Sequence, residues 1–131
     1  MLLAMFDHIS IAVYNLDRAI AFYDAAFAPL GVRRLWTVAD AAGYGYEGAD
    51  EPFAVKQIPD SVEIGSNNAT HVAFRASDRE TVKAFHASAL LHGGIDEGAP
   101  GLHPEYGSGY FAAFVRDPDG NRLEAVLHEA R

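Results

Sequence analysis

An α+β fold of two tandem βαβββ modules, forming a cupped mixed β-sheet with the helices outside, is predicted by three observations. A strand-like stretch followed at once by a helix-like stretch occurs twice in the chain of 131 residues. The copies match without a gap at a shift of 63 residues: His8 falls on His71, Ile9 on Val72, Ile11 on Phe74, Asp17 on Glu80, Ala21 on Ala84, Phe22 on Phe85, Ala26 on Ala89 and Gly31 on Gly94. Three further short runs follow each helix-like stretch. Two copies of so long a unit are too few for a solenoid, so two sheets around one pseudo-twofold axis are the natural closure.

In order, Phe6 to Val13 reads as a strand with Ile9, Ile11 and Val13 on one face and His8, Ser10 and Ala12 on the other. Asn15-Leu16-Asp17 suits a helix cap, and Ala19, Ile20, Phe22, Tyr23, Ala26, Phe27 and Leu30 recur at helical spacing up to Gly31. Val32 to Val38, Gly43 to Glu47 and Phe53 to Ile58 are the remaining strands of a first module spanning residues 6–66. The second module, residues 67–128, repeats the strand and helix and adds a weaker strand at Ile95 to Gly98, then Tyr110 to Arg116 and Arg122 to His128. Glu97 to Gly109, rich in glycine, is expected as one long loop, a lid over a site. The last strand is fed by Asp117-Pro118-Asp119-Gly120-Asn121, where Pro118 and Gly120 supply turn geometry. Together the modules make a single domain over residues 1–131.

Half the residues are hydrophobic, enough for one core without crosslinks, and the absence of cysteine leaves imidazole and carboxylate as the metal ligands available. A cysteine-free chain fits the reducing cytoplasm. The apolar opening from Met1 to Phe6 is cut short by Asp7 and His8 and lacks a basic leader, so neither a signal peptide nor a membrane span is expected. A net charge of −8 without a basic cluster excludes nucleic acid as a partner.

Alternation places His8 and His71 on the face away from the helix-packing residues, beside small Ser10, Ala12 and Ala73, where a filled core would carry larger side chains. Glu124 lies among apolar neighbours on the last strand, where an ionised carboxylate needs a partner. Two histidines and one carboxylate around a cavity are a ligand set for a divalent ion such as iron, manganese, zinc or nickel with open positions. The plainer alternative has each histidine as a hydrogen-bonded core residue and Glu124 paired with Arg75 or Arg122. Tyr44, Tyr46, His103, Tyr106 and Tyr110 are candidate proton donors or acceptors. Tyr106 and Tyr110 are preferred as catalytic residues because they flank Gly107-Ser108-Gly109. His86, His92 and His128 receive no role.

The opening His8-Ile9-Ser10-Ile11-Ala12-Val13, the helix with Ala21-Phe22-Tyr23, the repeated Thr70-His71-Val72-Ala73-Phe74 and the closing Asp117-Pro118-Asp119-Gly120-Asn121-Arg122-Leu123-Glu124 resemble the vicinal oxygen chelate superfamily. That group contains glyoxalase I, bleomycin-resistance proteins, fosfomycin-resistance transferases and extradiol dioxygenases. The resemblance implies paired βαβββ modules, usually a homodimer, and a metal held at the positions of His8, His71 and Glu124. Glyoxalase I members add a fourth ligand whose counterpart lies within Phe53-Ala54-Val55-Lys56-Gln57, where no carboxylate occurs. By resemblance, the function expected is that of a metal-dependent enzyme, dioxygenase-like or lyase-like, acting on a small oxygenated substrate chelated to the ion. The alternative is a binding protein of the bleomycin-resistance type that sequesters a small molecule without catalysis.

Overall fold

Alternating and helical periodicities become strands and helices in the computed structural model, which describes residues 5–48 and 52–129. The first four residues of the apolar opening lie outside the described residues. The first module comprises β1 (Ile9–Val13), α1 (Leu16–Phe27), β2 (Arg33–Thr37), β3 (Ala41–Gly45) and β4 (Phe53–Gln57). The second comprises β5 (Val72–Arg75), α2 (Arg79–Leu91), β6 (Ile95–Leu102), β7 (Tyr110–Arg116) and β8 (Arg122–His128).

Both helices start at equivalent positions of the repeat. The Asn15 side chain accepts the Arg18 amide at 2.9 Å, and the Asp78 side chain accepts the Thr81 amide at 2.7 Å, so each satisfies a backbone donor that the first helical turn leaves unpaired. Helix α1 buries Leu16, Ala19, Phe22, Tyr23, Ala26 and Phe27, and α2 buries Val82, Phe85 and Ala89. These stripes pack each helix on its own sheet and on the other helix. Phe27 meets Phe74 edge-on with centroids 4.8 Å apart, and Phe53 meets it at 5.2 Å, so aromatic packing crosses the module boundary.

Each module forms its own four-stranded sheet, in the orders β1-β4-β3-β2 and β5-β8-β7-β6. In each, the first strand runs parallel to the last and the other pairings are antiparallel. Strands β1 and β5 are therefore edges. Ser10 pairs with Ala54 in one sheet and Ala73 with Glu124 in the other, so Ala54 occupies the place that Glu124 holds in the second module.

The expected long loop over residues 97–109 is much shorter. Strand β6 continues to Leu102, bent by two register shifts against β7, and Pro104–Tyr106 forms a single 3-10 turn. Bulges let a glycine-rich stretch stay in the ladder despite its low strand propensity.

The Asp117–Asn121 turn does more than feed β8. Asp117 is fully buried; its Oδ1 accepts the amides of Asp119 and Asn121, both at 2.9 Å, and its Oδ2 accepts Tyr23 Oη at 2.6 Å and Asn121 Nδ2 at 2.9 Å. Asn121 Nδ2 also donates to Ala12 O at 2.9 Å, and Asp119 accepts the Tyr14 amide and the Arg18 guanidinium. Burial raises the pKa of Asp117, while Tyr23 and Asn121 pull the other way by bonding the charged form.

Removing the Tyr23 hydroxyl should leave a buried carboxylate short of one donor. Tyr23→Phe is expected to cost about 1–3 kcal/mol of stability, read from denaturant unfolding, while the helical content of the folded protein is unchanged.

Candidate metal centre and cavity

The two repeat-matched histidines stand one residue ahead of the edge strands β1 and β5, and their Nδ1 atoms are both engaged. His8 Nδ1 lies 2.6 Å from Asp7 Oδ1, and His71 Nδ1 lies 2.9 Å from Ala69 O. The Ala69 carbonyl can only accept, so His71 Nδ1 carries the proton. Its loop is held by Asn67, whose Oδ1 accepts the amides of Ala69 and Thr70, both at 2.7 Å. Arg116 and Arg122 bind the carbonyls of Asn67 and Asn68 in the same segment.

With Nδ1 committed, Nε2 of His71 faces Glu124 Oε1 at 3.0 Å. Glu124 is 1% exposed, and its other oxygen accepts the hydroxyl of Tyr110. Desolvation and the adjoining carboxylate push the Tyr110 pKa well above the ordinary phenol value, so the phenol stays protonated at neutral pH. Neither Arg75 nor Arg122 bonds Glu124; Arg122 instead reaches Asn68 O and Glu97. A neutral imidazole already donating through Nδ1 turns a lone pair toward this carboxylate, so the contact calls for a second proton or a cation between them.

His71, Glu124 and Tyr110 line a cavity of about 350 Å³ together with Tyr106, Phe114, Asn68 and Arg122. Tyr106 is 62% exposed and packs 5.3 Å from the Tyr110 ring, without a hydrogen bond to the His71–Glu124 pair. His103 stacks on Tyr106 with centroids 5.7 Å apart and bonds Glu105. Tyr44 lies on the helix side, donating to Asp24 at 2.8 Å, and Tyr46 lines a separate apolar groove. His8 is not brought to Glu124. It lines a second cavity of about 430 Å³ with Asp7, Ser10, Trp36, Ala41, Ala54 and Lys56. Among the described residues no three histidine, aspartate or glutamate side chains gather closely enough to hold one ion.

Phe114, Trp36 and Lys56 line the two cavities without being among the candidates that the sequence offers. Phe114 was within reach, since strand parity from Tyr110 through Ala112 puts it on the cavity face. Trp36 was not. A bulge at Leu35 shifts the register so that Arg34 pairs with Tyr44 but Trp36 pairs with Gly43, which turns the indole to the opposite face from the one simple alternation assigns.

Comparison with known proteins agrees with this architecture. The sequence model of the Glyoxalase/Bleomycin resistance protein/Dioxygenase superfamily matches residues 5–125. The crystal structure of a glyoxalase/bleomycin resistance protein from Albidiferax ferrireducens is similar, with a TM-score of 0.82, 27% identity, and coverage of 96% of this chain and 100% of that one. A glyoxalase I mutant from Zea mays gives a TM-score of 0.69 and 26% identity over 92% of this chain and 46% of its own. A genomically encoded fosfomycin resistance protein from Listeria monocytogenes shares the fold, with a TM-score of 0.72, 13% identity, and coverage of 98% of this chain and 96% of its own. No curated protein sequence matches.

Tyr110 should titrate above free tyrosine in ultraviolet difference spectra, and Glu124→Gln should move it back toward the ordinary value by removing the negative charge at its hydroxyl. Because the folded value is raised, the associated stability is present below the unfolded phenol pKa and declines as pH climbs beyond it.

Proposed function

The chain belongs to the Glyoxalase/Bleomycin resistance protein/Dioxygenase superfamily, and we propose that it binds a divalent metal through His8, His71 and Glu124 and acts there on a small oxygenated substrate. The contact that carries this reading is His71 Nε2 against the buried Glu124 Oε1, two acceptor-bearing groups turned to one another at 3.0 Å. An ion of iron, manganese, zinc or nickel suits an imidazole and carboxylate set, and the oriented Nδ1 atoms of both histidines resemble the outer hydrogen bonds that aim metal-ligating imidazoles.

The third ligand comes, on this reading, from a second copy of the chain. Edge strands β1 and β5 have no partner strand on their outer sides among the described residues. A homodimer that sets β1 of one copy beside β5 of the other would cover both edges and bring His8 to the partner's open pair. The two cavities would then merge into one. We assign the protein to the cytoplasm on the absence of cysteine; among the described residues no helix is long and apolar enough to cross a membrane.

When bound, the ion would supply Lewis acidity toward neighbouring substrate oxygens, and redox capacity toward dioxygen if it is iron. Tyr110 would hold Glu124 in place through its hydroxyl and keep a proton at the cavity wall. Tyr106, at the mouth, would help close the cavity over the substrate. Ala54 stands at the place equivalent to Glu124 and offers a methyl where a four-ligand site would need a donor. This supports dioxygenase-like or lyase-like chemistry over isomerisation of a glutathione hemithioacetal.

The second reading is sequestration of a small molecule, favoured by the aromatic walls that Trp36 and Phe114 give to the two cavities. Turnover that requires metal supports the enzyme, whereas metal-independent binding without turnover supports sequestration.

His8→Ala and His71→Ala should each abolish metal uptake measured by elemental analysis. Mixing the two variants under exchange conditions should restore it, because a mixed dimer contains one site with all its ligands. Uptake by a strictly monomeric species, or no recovery on mixing, would contradict the shared site. Affinity should also fall in acid, as protons compete for both imidazoles.

A further inference from the structure

The His8-side cavity contains three features that metal binding does not require. Residues Ser10, Ala54, Gly43 and Trp36 form one row across four strands, set by the pairings of β1 with β4, β4 with β3 and β3 with β2. The first three are small, and the last lies flat across the third. A Cβ placed on Gly43 would fall 2.2 Å from both Cε2 and Nε1 of Trp36 and 2.6 Å from Cζ2, so one face of the indole rests on the strand backbone. The other is turned to the cavity. In the next row Lys56 sits between Ala12 and Ala41 and projects into the same cavity. Its ammonium has neither an ion pair nor a hydrogen bond among the described residues. The carboxylate nearby, Asp7, is engaged with His8.

The second module has the corresponding row in altered form: Ala73, Glu124, Phe114 and Gly98. Here the aromatic ring is on the third strand and the glycine on the fourth, and a Cβ on Gly98 would lie 3.0 Å from Phe114 Cδ2. Each sheet thus uses a glycine to seat an aromatic wall in the row of the site.

We infer that the cavity takes a flat aromatic carboxylate, its ring laid against Trp36 and its carboxylate on Lys56. An indole face rewards an unsaturated ring more than an aliphatic one of equal size. A lysine without an ion pair among the described residues, on a chain of net charge −8, is a local reversal of a field that otherwise repels anions. The inference rests on the proposed shared site only for the place of Phe114 across the merged cavity; Trp36 and Lys56 act without metal. A lysine that served only solubility would leave neutral and anionic ligands indistinguishable.

Trp36 is the sole tryptophan, so its fluorescence reports this cavity. The test titrates chelator-treated protein with 3,4-dihydroxybenzoate, catechol and cyclohexanecarboxylate, reading Trp36 emission and calorimetric heat. The expected result is quenching by 3,4-dihydroxybenzoate with about tenfold tighter binding than catechol, the worth of one charge-assisted hydrogen bond. Cyclohexanecarboxylate should bind more weakly than the aromatic acid. Lys56→Met, shown to be folded by its thermal transition, should erase the preference for the acid over catechol. Equal binding of acid and catechol, a preference that survives Lys56→Met, or no quenching by any of the three overturns the inference. Should the Lys56-dependent preference hold while His71→Ala leaves metal uptake intact, the metal reading fails and this pocket stands.

Discussion

The arrangement depends on one buried carboxylate. Asp117 receives hydrogen bonds from Tyr23 on the first module's helix and from the backbone and side chain of its own turn, and Asn121 passes the connection on to Ala12 at the end of β1. A charge with no exposed surface would be a heavy burden if any lone pair lacked a donor. Here both oxygens are met twice, so the turn holds the second module against the first. Aromatic packing of Phe27 and Phe53 on Phe74 supplies apolar adhesion. The carboxylate gives that adhesion a single geometry, because only one placement of the turn reaches Tyr23 and Ala12 together.

The two modules repeat one strand row with different side chains. The same strand row occurs in both sheets, but Ala54 replaces the carboxylate of Glu124, and ring and glycine trade strands between Trp36 over Gly43 and Phe114 over Gly98. Both modules retain a histidine ahead of the edge strand, with Nδ1 tied back into its own segment. One row accordingly carries a buried carboxylate and the other an indole beside a lysine. Both rows end at an edge strand, β1 or β5, that has no further partner strand among the described residues.

Much of this was determined by the sequence alone. The gapless repeat determined the two βαβββ modules, helical spacing determined the buried stripe of α1 and the repeat carried Phe85 and Ala89 of α2 with it, and a carboxylate amid the apolar residues of β8 marked Glu124. These are local properties, legible because period and polarity leave traces within a few residues. Tertiary structure alone decided what meets Glu124, since the preference for His71 and Tyr110 over Arg75 and Arg122 depends on how residues 67–70 turn and on the Asn68 carbonyl that engages Arg122. It also decided that residues 97–102 stay in the sheet and that Trp36 faces the cavity, because each follows from a bulge and one extra residue reverses the parity of everything beyond it. Separation of His8 from its counterpart pair belongs to the same class: the repeat shows that the positions correspond, and only the packing of one module on the other determines that a single chain keeps them apart.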